Sequence, residues 1–278
     1  DRALINLNTE FIAGIMMLVR GFVGEMHMTI FEPSGNPLVP LPDHEAFKFQ
    51  SYVPLQLQNI LEQTPPKVQI LNTAKAILVG GAPVSYGLEQ LLQQVQAPVF
   101  HTYGMTETVS HIALRQLNGP NKTQHYIAPP DVVLGTDKRG CLTIKADVTN
   151  NEIVVTNDLV NLLSENTFIW LGRADNTINT GGVKVQLEKV EQALTEVLHK
   201  LGMHRRNFIA SLPDEKLGER IIAVLEGTPL SDHEEQQLQG MLTQVLTKYE
   251  IPKQFGYLNT FTETASGKID RQKNLLLL

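Results

Sequence analysis

Ala76-Ile77-Leu78-Val79-Gly80-Gly81-Ala82-Pro83, with Val99-Phe100-His101-Thr102-Tyr103-Gly104 downstream, is the stretch that decides the fold of this chain. Four apolar residues running into a Gly-Gly turn predict a strand buried on both faces. Ser85 then offers a side-chain cap for a helix, and Leu88, Leu91, Leu92 and Val95 recur at the spacing of one helical face. Ala97-Pro98 breaks that helix, and the second apolar run gives a second strand. Strand, glycine turn, amphipathic helix and strand make a βαβ unit with parallel strands. Sheets of this kind take ligands beyond the carboxyl ends of their strands. Gly80-Gly81 and Tyr103-Gly104 both fall there, so the two loops are predicted to be neighbours.

Upstream, residues 4–7 read as a strand leading into an apolar helix over residues 11–19. Pro33, Pro37, Pro40 and Pro42 mark a loop, and Pro65-Pro66 another break. A domain that opens in mid-core predicts that an N-terminal portion is missing. Downstream, residues 153–156 and 168–171 read as strands, with Asn157-Asp158 closing the first. The character changes near residue 174. Leu187, Val190, Leu194, Val197, Leu198 and Leu201 form a helical stripe ended by Gly202. Strands over residues 207–212 and 220–226 follow, then Ser231-x-x-Glu234, a capping box for a helix stopped by Pro252. The expected fold is α/β: a large, partial N-terminal domain of mixed and parallel sheets over residues 1–173, and a small mobile α+β domain over 174–278.

A net charge of −6 over 278 residues argues against a broad nucleic-acid footprint, while a few placed cations can still hold a phosphate. The apolar run over residues 11–19 stops at Arg20, too short to span a bilayer. One cysteine, Cys141, excludes an internal disulfide and suits a reducing compartment, so a cytoplasmic protein is expected.

Four segments carry groups suited to chemistry. Tyr103-Gly104-Met105-Thr106-Glu107-Thr108 can stack a base, donate to a phosphate and hold a hard cation through Glu107, or be an ordinary polar loop. Asp158 can accept two ribose hydroxyls, or serve as a turn residue. Arg173-Ala174-Asp175 and Thr180-Gly181-Gly182-Val183-Lys184 can form a hinge, or a connector with a surface ion pair. Ala265-Ser266-Gly267-Lys268 presents one ammonium suited to phosphate and carboxylate oxygens, or a solvated lysine. Beyond Thr108, a strand would set His111, Ala113 and Arg115 on one face.

Taken in order, Gly80-Gly81-Ala82-Pro83, Tyr103 to Thr108, Thr156-Asn157-Asp158, Gly172 to Lys184 and Thr264 to Arg271 resemble the adenylate-forming superfamily of acyl-CoA ligases, luciferases and peptide-synthetase adenylation domains. Tyr103-Gly104-Met105-Thr106-Glu107-Thr108-Val109-Ser110-His111 and Asp137-x-Arg139-Gly140-Cys141-Leu142 look most like o-succinylbenzoate–CoA ligases of menaquinone synthesis. The resemblance implies activation of a carboxylate by ATP and Mg²⁺ to an acyl-AMP, then transfer to coenzyme A. It implies that Gly81, Ala82 and Tyr103 form an adenine slot, that Thr106 meets the α-phosphate, and that Glu107 holds the metal. Asp158 and Arg173 would take the ribose, Asp175 would be the hinge, and Gly181 and Gly182 would line the pantetheine tunnel. Lys268 would bridge nucleotide and carboxylate. The substrate's second carboxylate is expected to meet Ser110, His111 and Arg115. Two departures stand: the superfamily's phosphate loop is absent from the sequence, and Phe11 falls where many relatives carry His. Two alternatives follow, an adenylation domain loading a carrier-protein thiol and a non-catalytic nucleotide-binding fragment.

Overall fold

The computed structural model describes residues 1–264 and 269–278. The strands are β1 (Arg2–Ile5), β2 (His27–Ile30), β3 (Phe49–Tyr52), β4 (Ala76–Val79), β5 (Val99–Gly104), β6 (His111–Gln116), β7 (Tyr126–Ile127), β8 (Val133–Thr136), β9 (Cys141–Lys145), β10 (Val154–Ser164), β11 (Thr167–Arg173), β12 (Thr177–Thr180), β13 (Val183–Gln186), β14 (Asn207–Asp214), β15 (Gly218–Glu226) and β16 (Gln254–Leu258). The helices are α1 (Ile12–Val23), α2 (Pro54–Gln63), α3 (Val68–Leu71), α4 (Tyr86–Leu91), α5 (Leu187–Lys200), α6 (Asp232–Val245) and α7 (Arg271–Leu275). The chain divides into two compact units, Asp1–Thr156 with Asn161–Trp170, and Asn157–Val160 with Leu171–Leu278. Among the described residues no helix is long and apolar enough to cross a membrane.

In the first unit the strands run β2-β1-β3-β4-β5-β6-β7-β11-β10-β9-β8 in one sheet. From β2 to β5 every pairing is parallel, and from β5 onward β6 and β7 pair antiparallel. The apolar run of β4 is the consequence of helices packing over the parallel half: Ile77 and Val79 are fully buried. They share a core with Leu57 and Ile60 of α2, Leu88 of α4 and Leu92 just beyond it. Each such side chain contributes about 1.5–3 kcal/mol on burial. Ser85 caps α4 as its sequence suggests, its Oγ accepting the Leu88 N–H at 3.1 Å. Helix α1 buries Gly14, Met17 and Gly21 and keeps Phe22 and Val23 exposed.

Three boundaries differ from the sequence reading. The first strand lies over Arg2–Ile5 rather than 4–7, because buried Asn6 leaves the ladder and faces Gln56 across 3.3 Å. Helix α1 runs on past residue 19 to Val23. Asn157-Asp158 does not end a strand. Thr156, Asp158 and Val160 are buried at alternate positions in the middle of eleven-residue β10, so the period of two overrides the turn signal.

The second unit holds a five-stranded sheet, β13-β12-β15-β14 with β16 beside β15. Strands β14 and β15 pair antiparallel over their whole lengths from Asn207↔Leu225 to Asp214↔Gly218. Val190, Leu194 and Val197 of α5 and Leu238 and Leu242 of α6 pack on this sheet. The α5 end is closed by Gly202 and Met203 N–H groups donating to the His199 and Leu198 carbonyls at 3.0 and 2.9 Å. The capping box at α6 forms, with the Ser231 N–H donating to Glu234 Oε2 at 2.8 Å.

Candidate active site

The site of the first unit grows from the adjacent carboxyl ends of β4 and β5. Val79 pairs with His101, so Gly80-Gly81 and Tyr103-Gly104 leave the sheet side by side. A bulge between Tyr103 and Gly104 lets β6 return closely, and a Cβ on Gly104 would lie 2.3 Å from the Ser110 carbonyl oxygen. The Tyr103 ring rests edge-on against Phe168 at 5.1 Å and beside Tyr126 at 5.7 Å.

Beyond Gly104 the chain makes a single 3₁₀ turn, Thr106–Thr108. Thr108, which is buried, locks it: the hydroxyl accepts the Met105 N–H at 3.0 Å and reaches the Met105 and Ser110 carbonyls at 3.0 and 2.8 Å. Thr106 and Glu107 are thereby held outward and exposed. Glu107 makes no ion pair among the described residues, so its carboxylate is open to a hard cation. No group of three or more His, Cys, Asp or Glu gathers to hold a metal among the described residues.

The turn leaves through Val109 at φ 60°, ψ −48°, with the Ser110 N–H 2.5 Å from the Thr108 carbonyl oxygen. This is a γ-turn of the strained hand, carried by a β-branched residue. It aims Ser110 and His111 at Arg20 of α1. Arg20 Nη2 donates to Ser110 Oγ at 2.6 Å and lies 3.2 Å from His111 Nδ1. Burial and the Arg20 charge push the His111 imidazole down to about 4, so the ring is neutral and accepts. No carboxylate neutralises Arg20 among the described residues, and burial pushes its pKa down.

Arg115 is engaged elsewhere in the fold. Its guanidinium, 11 % exposed, is 2.5 Å from Glu89, which also takes Lys122 at 3.2 Å, and it donates to Gln124 at 3.1 Å. Its charge is spent on tying β6 to α4. The cation beside Ser110 and His111 is Arg20, whose signal in the sequence is that it is the one charge within an apolar helix.

In the second unit Asp158 is buried, with Arg173 Nη1 at 4.0 Å from Oδ1. Arg173 also grips Asp175 through two bonds of 2.9 Å, which hold the Asp175 carboxyl below the usual range. Gly181 and Gly182 take φ 59° and 81°. They are the two central residues of a hairpin turn joining β12 to β13, where Thr180 pairs with Val183. Lys268 lies outside the described residues. The segment that follows it is anchored by Arg271 on Glu191 at 2.9 Å.

A profile described as AMP-binding enzyme matches residues 1–136. An acyl-CoA synthetase (AMP-forming)/AMP-acid ligase II-like protein from Dyadobacter fermentans has a solved structure with 40% identity and a TM-score of 0.60, covering 99% of this chain and 78% of that one. The chain belongs to the AMP-binding enzyme family. Vibriobactin-specific 2,3-dihydroxybenzoate-AMP ligase of Vibrio cholerae is 40% identical over 118 residues, 42% of this chain and 21% of that protein. The o-succinylbenzoate coenzyme A synthetase of Bacillus subtilis, solved with ATP and magnesium, shares the fold at a TM-score of 0.76 and 23% identity, over 98% of this chain and 61% of that one. This AMP-binding enzyme chain thus spans about three-fifths of the Bacillus protein and a fifth of the Vibrio one.

Proposed function

We propose that this AMP-binding enzyme works as an acid–CoA ligase on an aromatic diacid, o-succinylbenzoate. A carboxylate oxygen attacks the α-phosphorus of ATP, the bond to pyrophosphate breaks, and the acid is held as an acyl-AMP. The coenzyme A thiolate then attacks the carbonyl carbon and AMP leaves. Tyr103 with Gly81 and Ala82 receives the adenine, Asp158 and Arg173 the ribose, and Thr106 the α-phosphate. Magnesium bound by Glu107 and phosphate oxygens would offset the charge of the departing pyrophosphate. Lys268 supports the first step and leaves before the second, with Asp175 as the hinge of residues 174–278 and Gly181-Gly182 beside the pantetheine.

The observation that carries the diacid reading is Arg20, a half-buried cation with no carboxylate partner among the described residues, held by Ser110 and His111 next to the Thr106-Glu107 turn. A carboxylate that does not react supplies the missing counter-charge. Arg20→Met in the full-length protein should raise KM for o-succinylbenzoate by about 30-fold or more, the loss of a desolvated charge pair, and leave KM for ATP unchanged. Equal effects on benzoate and o-succinylbenzoate would remove the diacid from the reading. Lys268→Ala should nearly abolish acyl-AMP formation yet spare thioester formation from supplied acyl-AMP, and equal loss of both steps would refute its role.

A further inference from the structure

His101 stands on β5, in register with Val79 of β4 on one side and Arg115 of β6 on the other. Both ring nitrogens are engaged. Nδ1 is 2.7 Å from the Tyr126 hydroxyl and Nε2 is 3.3 Å from the Ala82 carbonyl oxygen. A carbonyl can only accept, so Nε2 carries the proton and Nδ1 accepts from the phenol. Burial first, then the Arg115 charge, pushes this imidazole down to about 4, so the neutral ring persists at neutral pH. Tyr126 is itself buried and stacked on Phe168 at 5.3 Å and 17°. A rigid ring pair therefore bears on one loop carbonyl through one imidazole.

That loop depends on an outside anchor. Gly81 has φ 83°, Pro83 has no N–H, and among the described residues no backbone hydrogen bond ties residues 81–83 to the sheet. We propose that His101 is a positioning residue for the nucleotide: its Nε2–H fixes the Ala82 carbonyl and so sets the spacing between the Gly81-Ala82 loop and Tyr103. This rests on the reading of those residues as the adenine slot. The base is flat and the slot is made of backbone and one ring, so small shifts of the loop translate directly into lost contact with the nucleotide. The acid side of the site is built on separate contacts, Arg20 with Ser110 and His111, whereas this relay runs from His101 to Ala82, so the two substrates are expected to respond differently.

The test is steady-state kinetics of the full-length protein with ATP and acid varied separately. His101→Phe should raise KM for ATP about tenfold, the worth of one net hydrogen bond, with KM for the acid and kcat within about twofold of wild type. Tyr126→Phe, which frees the tautomer without removing the ring, should raise KM for ATP about threefold. His101→Gln offers a donor and an acceptor at nearly the spacing of the two ring nitrogens and should restore KM for ATP. A folded His101→Gln protein as impaired as His101→Phe, or a parallel rise in both KM values, overturns the inference. If His101→Phe does not fold, the Tyr126→Phe and His101→Gln pair decides on the same terms. Wild-type protein that fails to bind ATP would remove the ligase reading and this inference with it, whereas normal ATP kinetics in His101→Phe removes this inference alone.

Discussion

Two 3₁₀ turns of the first unit, Thr106–Thr108 and Asp147–Thr149, are built by the same device. In each, a threonine at the third position accepts the N–H of the residue before the turn, Met105 at 3.0 Å and Ala146 at 3.1 Å. In each the hydroxyl also reaches a carbonyl beyond the turn, Ser110 at 2.8 Å and Glu152 at 2.7 Å. They part at the exit. The second leaves through Asn150 at φ 53°, ψ 30°, a conformation that asparagine tolerates, and Asp147 accepts from the Asn151 amide at 3.1 Å. The first leaves through Val109, where the same sign of φ is costly, and keeps Glu107 unpaired among the described residues. The fold uses one lock twice and, of these two exits, places the costlier backbone at the one that delivers Ser110 and His111 to Arg20.

Substituting the two locks gives the largest contrast. Thr108→Val and Thr149→Val should each destabilise by about 1–3 kcal/mol in urea titration, since each strands buried backbone groups. Only Thr108→Val should slow pyrophosphate release, by about 100-fold, because it displaces Thr106 and Glu107. Equal activity losses would break the distinction. The exits give a smaller one. Val109→Gly should stabilise the protein by about 1 kcal/mol through relief of positive φ, while KM for the acid rises several-fold. Asn150→Gly should change stability by only a few tenths of a kcal/mol. If Val109→Gly destabilises, the strain is not there.

The smallest effect is on acid sensitivity. His111 is held near 4 in the folded protein, against about 6.5 in an unfolded chain. The unfolded state therefore binds more protons between those values, and stability falls as pH drops from about 6.5 toward 4. His111→Gln should flatten that part of the stability–pH curve, measured by thermal melts at stepped pH. An unchanged curve would mean that His111 is solvated.

The parallel half of the sheet was legible because burial on both faces leaves a continuous apolar run such as residues 76–79, and because Ser85 and Ser231 cap as their positions suggest. What escaped depended on partners far along the chain. Arg20 meets Ser110 across 90 residues, and Arg115 is neutralised by Glu89 across 26. Neither pairing has a local pattern. Asp158 was misplaced for a different reason, since Asn-Asp is a strong turn signal that the alternation of Thr156, Asp158 and Val160 overruled. Thr106 and Thr108 are the same residue type two positions apart, yet the first faces outward and the second is the lock.

Strand β7 is two residues long, and in the sheet of described strands it lies between β6 and β11. Its registers are short, Leu114↔Ile127 on one side and Thr167↔Ile127 with Phe168↔Tyr126 on the other. Strands β8 to β11, neighbours in sequence and in space, can therefore assemble on their own, while the parallel strands must wait for distant partners. In hydrogen exchange such a sheet is expected to open as two cooperative blocks coupled at a narrow seam. The short ladder there is reinforced by the cluster of Tyr103, Tyr126 and Phe168, whose rings lie 5.1–5.7 Å apart, so the two blocks are expected to be coupled through side-chain packing as much as through backbone pairing.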